Sequence, residues 1–170
     1  MQHLIAKSQK KRAESDKGFT LIELLVVVVI IGILVAIAVP VYLNYRKGAS
    51  NKSAQSDVRA AISAVETFYT ENGNKYPDNV TATAPAALNL ALTGTTGTQK
   101  STISDGNTIR YARKTLTNYV ICGQNADGLK FFVYDNANGG SVKESTATTM
   151  DACIANGTPP PVMPGSGGSG

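Results

Sequence analysis

The chain has a single histidine, His3, and it lies ahead of the one long apolar run. If that basic start is removed in maturation, no imidazole remains for acid–base catalysis or for holding a metal. Cysteine is nearly as scarce. Cys122 and Cys153 are too few and too far apart to make a zinc site. A phosphate loop is also missing, because Gly94-Thr95-Thr96-Gly97-Thr98 lacks the lysine and the helix entry that such a loop needs. Asp127, Asp135 and Asp151 are dispersed, which reads as a solvated surface rather than a calcium site. No dense basic patch with interleaved aromatics follows the apolar run, as nucleic-acid binding would require. The expectation is a protein that is not an enzyme, with no cofactor and no catalytic or metal residues.

Positive charge is likewise lacking where the overall balance suggests it. The 170 residues carry a net charge of +4. Lys7, Lys10, Lys11, Arg12 and Lys17 against Glu14 and Asp16 give the first 18 residues +3, leaving +1 for residues 19–170. A basic segment directly before an apolar span follows the positive-inside rule, so this end is expected in the cytoplasm. Both cysteines then lie on the exported side, where an even pair reads as a disulfide rather than as two buried thiols.

Leu24 to Val39 contains no polar side chain, and the greasy stretch extends to Leu43. Twenty such residues make a helix of roughly 30 Å, enough to span a bilayer. A core helix of a small domain would not be apolar on every face. An ordinary secretory signal peptide would place its small-residue cleavage site after the apolar core. Here the small residue, Gly18, comes before it, so a cut there would keep the helix.

Beyond Leu43 the residues Ala54, Val58, Ala61, Ile62, Val65 and Tyr69 recur at helical spacing, with Asp57, Arg59, Glu66 and Glu71 mostly elsewhere. Asn72-Gly73-Asn74 supplies residues that tolerate a left-handed cap. Gly32 and Pro40 are weak points in the first half of this helix, read either as a tolerated kink or as a place of bending during assembly. Residues 73–106 are expected to be mainly loop, with one or two helical turns between Pro85 and Leu92. Strands are predicted at Thr108–Lys114, Thr117–Cys122 and Leu129–Tyr134, with a short fourth at Ser141–Glu144. Consecutive strands joined by short turns imply a small antiparallel sheet that covers the apolar stripe, an α+β fold. Residues 157–170 are rich in Gly, Pro and Ser, which predicts a flexible tail.

The decisive residues are Lys17-Gly18-Phe19-Thr20-Leu21-Ile22-Glu23, followed by the apolar run. This stretch resembles the type III signal sequence of type IV prepilins and of the pseudopilins of type II secretion. The resemblance covers residues 1 to about 45 and is most like a major pilin. It implies a pilin fold, a prepilin peptidase that cuts between Gly18 and Phe19, and N-methylation of Phe19. It also implies storage in the inner membrane, followed by assembly into an extracellular pilus by an assembly platform and ATPase. Glu23 would then pair with the Phe19 amine of a neighbouring subunit and set register. The pair Cys122 and Cys153 would close a C-terminal loop.

The expected organisation is a cleaved leader (1–18), a transmembrane and assembly helix (19–43) and a globular pilin domain (44–156) before the tail. Within that domain an amphipathic helix (44–72), a loop (73–106) and a sheet (107–144) precede a disulfide-tied C-terminal segment. The chain is expected to form a homopolymer serving adhesion, twitching motility or DNA uptake, with DNA or host surfaces as further partners. A pseudopilin of secretion or competence machinery, and a bitopic membrane protein that binds a partner without polymerising, stand as alternatives.

Overall fold

The computed structural model describes residues 19–156. The leader expected at 1–18, including Gly18, and the tail expected at 157–170 lie outside the described residues. The chain divides into two units between Leu43 and Asn44, and one continuous helix, α1 (Leu21–Glu71), contributes to both.

In the first unit α1 is helical through Gly32 and Pro40 without interruption. Its apolar side chains are exposed from Leu21 to Leu43. In the second unit the helix changes character. Ala54, Asp57, Val58, Ala61, Val65 and Phe68 repeat at three- and four-residue spacing and form its buried stripe. The helix ends at Asn72-Gly73-Asn74: Gly73 and Asn74 take positive φ angles of 64° and 59°, and the amide of Asn74 donates to the carbonyl of Tyr69.

The sheet has five antiparallel strands in the order β1 (Val80–Thr83), β4 (Asn107–Arg113), β5 (Tyr119–Asn125), β6 (Phe131–Asp135) and β7 (Lys143–Ser145). β2 (Leu88–Ala91) and β3 (Thr98–Ser101) pair separately. The segment 73–106 is loop over most of its length, as expected, but it carries the short strands β1, β2 and β3, and β2 stands where helical turns were expected. The reason is local period. Leu88 and Leu90 alternate with Asn89 and Ala91, and both leucines are fully buried. Alternation of this kind belongs to a strand.

β5 is the centre of the unit, and both of its faces are covered. Tyr119 and Ile121 pack toward α1 in a cluster with Val58, Val65 and Phe68. Val120 and Cys122 pack on the other face with Cys153 and Ile154 of a second helix, α2 (Met150–Asn156). The sequence reading did not anticipate α2. Its signal is present in Thr149, whose hydroxyl accepts from the amide of Ala152 at 3.1 Å as an N-cap, and in the early acid Asp151.

The close approach of α1 to the sheet depends on Gly123. A methyl group there would overlap the side chains of Val58 and Ile109. The same junction carries a buried polar network, and here the expectation that Asp57 lies off the apolar stripe is corrected. Asp57 sits three residues after Ala54, so the helix itself turns it inward. Its carboxylate accepts from the Ser104 amide (2.7 Å), the Ser104 hydroxyl (2.9 Å) and Asn107 Nδ2 (2.6 Å). Asn107 Oδ1 in turn accepts from Asn125 Nδ2 at 2.7 Å. The network ties α1 to β4, to β5 and to the turn that precedes β4.

Tyrosines fill the end of the core nearest the helix C-terminus. The rings of Tyr69 and Tyr76 stack at 4.4 Å, and Tyr119 lies within 6 Å of Tyr76, Tyr111 and Tyr134. The Tyr119 hydroxyl donates to Glu66 at 2.5 Å. Burial, followed by that hydrogen bond, pushes the Tyr119 phenol far above its ordinary range.

Two substitutions separate packing from polar satisfaction. Gly123→Ala is expected to destabilise the folded chain by about 1–3 kcal/mol through overpacking. Asp57→Ala is expected to cost about 2–3 kcal/mol by leaving the Ser104 amide unpaired and Asn107 Nδ2 with Ser53 alone. Denaturant midpoints of the full-length protein in detergent check both, and an unchanged midpoint would contradict either assignment.

Candidate functional site

The start of α1 is built from Thr20 and Glu23. The Thr20 carbonyl accepts the first helical bond, from the Leu24 amide at 3.2 Å, so Thr20 is the N-cap. The Glu23 amide donates to Thr20 Oγ1 at 3.3 Å, and Glu23 Oε2 reaches back to accept from the Thr20 amide at 2.9 Å. These two bonds form a reciprocal capping box. The Thr20 hydroxyl also donates to Glu23 Oε2, at 2.8 Å. Glu23 Oε1 has no hydrogen bond among the described residues, which leaves one carboxylate oxygen open to another donor.

The sequence reading had considered Glu23 through charge alone. The Thr-x-x-Glu spacing directly before an apolar run was the available signal for the cap. An N-terminus satisfied by its own side chains suits a helix whose surroundings hold little water.

Phe19 is 83% exposed, and with Ile22, Glu23, Val26 and Val27 it borders a shallow, mainly apolar depression. From Leu24 to Leu43 the side chains surround the helix with apolar surface, and the helix is long and apolar enough to cross a membrane. Phe19 and Glu23 are thus brought together at one helix end, while Gly32 and Pro40 lie farther along the same helix. Nothing stands within 4 Å of where a Gly32 side chain would begin.

Cys122 and Cys153 belong to the second unit and form a disulfide, with Cα atoms 6.1 Å apart. The bond joins the central strand β5 to α2, and both cysteines are fully buried. Arg110 of β4 adds an ion pair to Asp151 of α2. Asp127 pairs with Arg46 at 2.9 Å. Asp135 accepts from the Ala137 amide and from Asn138.

Residues 15–39 match the prokaryotic N-terminal methylation motif. The chain is 40% identical over 63 residues to the type IV major pilin protein PilA of Myxococcus xanthus, a stretch covering 37% of this chain and 28% of that protein. It is 42% identical over 72 residues to the type IV major pilin protein PilE1 of Neisseria gonorrhoeae, covering 42% of this chain and 43% of the relative. It is also 38% identical over 97 residues to the type IV major fimbrial protein FimA of Dichelobacter nodosus, covering 56% and 62% respectively. The matches therefore span less than half of the first two relatives and under two thirds of the third. No solved structure gives a significant match.

The disulfide closes a loop across a sequence separation of 31. In the chain-entropy view such a closure stabilises by roughly 3–4 kcal/mol. Cys153→Ser is expected to lower the denaturant midpoint by a corresponding amount and to make α2 sensitive to proteolysis. Equal protease resistance of the variant and the parent would show that α2 holds without the bond.

Proposed function

We propose that this chain is a member of the type IV pilin family, a structural subunit that polymerises through its N-terminal helix into an extracellular pilus. It is a structural protein, not an enzyme. The observation that carries the reading is the 17–23 motif set directly before a helix that is apolar on every face. Such a surface is stable in lipid or against other helices of the same kind, and in no other solvent the cell provides.

In this reading the precursor waits in the inner membrane with its basic end in the cytoplasm. Prepilin peptidase cuts between Gly18 and Phe19 and methylates the new amine at Phe19. The cut removes a +3 block and creates a cation at the same place. An assembly platform and its ATPase then move the subunit from lipid into the filament base. Gly32 and Pro40 are the points at which the helix would yield as it packs. The relatives are named as major pilins and a major fimbrial protein, which favours a pilus over a secretion pseudopilin. Adhesion, motility or DNA uptake would follow from the filament's surface.

Glu23 acts here as the register residue. Its Oε2 is engaged by Thr20, and its Oε1 is free to meet the Phe19 amine of a neighbour. In a water-poor bundle a mis-staggered subunit leaves both charges unpaired, so the correct stagger is favoured. The cap keeps the carboxylate aimed along the chain start, ready for that partner.

Cap and charge can be separated experimentally. Glu23→Gln keeps a capping-box residue and removes the charge, so filament yield is expected to fall roughly a hundredfold, equivalent to about 3 kcal/mol for a broken buried pair. Thr20→Ala keeps the charge and loses the cap, with an expected cost near 1 kcal/mol and only a several-fold loss. Shearing filaments from cells and quantifying this chain checks both, and equal losses would rule out the charge pairing. Mass analysis of the cellular protein is expected to find it beginning at N-methylated Phe19. A first residue beyond Val39 would instead indicate ordinary signal-peptide export.

A further inference from the structure

The globular unit ends in two exposed leucines whose surroundings are complementary. Leu129 stands in the β5–β6 turn, 72% exposed, with φ at 63°. A left-handed backbone is unfavourable for a branched side chain, and it displays this one to solvent. The turn is held firmly. Asp127 pairs with Arg46, the Asp127 amide donates to Asn125 Oδ1, and the Ala126 amide donates to the Gly106 carbonyl. Asp105 lies beside it in the turn before β4, and its carboxylate has no cationic partner among the described residues. The result is an apolar knob flanked by Asp105 and by an Asp127 whose charge is already shared with Arg46.

The opposite end of the sheet carries a cleft of about 560 Å³, bounded by the helix exit, the 92–95 turn and the β4–β5 hairpin. Leu116, 85% exposed, stands at its edge with Tyr76 and Leu92. Its polar groups are largely committed. Arg113 donates to the Tyr76 carbonyl and to Asp78, both at 2.9 Å. Asp78 Oδ2 accepts from the amide and the hydroxyl of Thr93, both at 2.8 Å. Those bonds from Thr93, with Arg113 adding to them, hold the Asp78 carboxyl below its usual range. The open lining is part apolar, from Leu92, Leu116 and Tyr76, and part polar, with Lys75 on the rim and not paired with an acid among the described residues. An aliphatic side chain with an acidic neighbour fits both the apolar part of that lining and the charge of Lys75.

We propose that the cleft receives Leu129 of a second copy of this chain, with that copy's Asp105 facing Lys75. This inference rests on the filament reading above. Knob and cleft lie at opposite ends of the same unit, so the contact is heterologous. Each copy gives one knob and takes one, so the contact can repeat from copy to copy, and it builds a filament when the rotation between copies does not close a ring.

The test uses the full-length chain in cells that assemble it, with Leu116→Cys and Leu129→Cys made singly and together. The native cysteines are buried in their own disulfide and do not interfere. After mild oxidation, sheared filaments of the double variant are expected to run as a ladder of linked chains on non-reducing gels, while both single variants stay monomeric. Filaments of the double variant without a ladder would overturn the contact and leave the pilus reading intact, whether the cleft holds residues 157–170 or another partner. Dimers from Leu116→Cys alone would mean a symmetric contact and would also overturn it. Absence of filaments from the unmodified chain would remove the pilus reading and this inference together. Leu129→Gly relieves the left-handed backbone and keeps the fold, so it guards against misfolding of the cysteine variants. It is expected to speed filament dissociation about tenfold or more. Unchanged dissociation would count against the knob.

Discussion

Twenty consecutive residues from Leu24 to Leu43 give α1 an apolar surface in every direction, and the behaviour of the chain follows from finding a solvent for it. Water is unfavourable at every turn of the helix. Lipid and other helices are the two environments that accept it. The capping box at Thr20 and Glu23 belongs to the same constraint, because the first amides of a helix need partners and a bilayer supplies few. A carboxylate at that point satisfies the helix start and still has one oxygen to offer. Storage in a membrane and, in the proposed reading, transfer into a helical bundle are then two solutions to one solvation problem.

The other half of α1 solves a different problem. From Ala54 onward only one stripe is apolar, and the sheet covers it. Gly123 lets the two surfaces approach, and Asp57 with Asn107 and Asn125 fixes where they meet. Hydrophobic packing alone tolerates sliding of a helix along a sheet, whereas a buried carboxylate with three committed donors does not. On the far face of the sheet the Cys122–Cys153 bond and the Arg110–Asp151 pair hold α2 against β4 and β5. The end turns of the sheet are left to present Leu116 and Leu129.

Legibility in the sequence tracked how far each signal reaches along the chain. The apolar run, the basic start and the position of Gly18 before the run are local and strong. The α+β class and the strands near 108–114, 117–122 and 129–134 could be read from β-branched and aromatic clusters between turn residues. Pro85 to Leu92 was misread because eight residues fit a short helix almost as well as a strand, and only pairing with β3 decides between them. Asp57 was placed on the wrong side because its polarity outweighed its spacing. The capping box was legible in Thr20 and Glu23, but charge was the more conspicuous property of Glu23.

By itself the sequence determined the properties that depend on neighbours within a turn or two. These are the solvent that residues 24–43 require, the place at which a cut would spare them, the helix stop at Asn72-Gly73-Asn74, and an even cysteine pair. Tertiary structure alone decided what depends on residues far apart: the pairing of β1 with β4 across the β2–β3 hairpin, the burial of Asp57 beneath the 104–107 segment, and the covering of the second sheet face by α2. The division has a physical cause. Local conformation is set by side-chain sterics and hydrogen bonds along the chain, whereas burial and strand pairing carry a loop-closure cost that is repaid only by contacts the linear order does not contain.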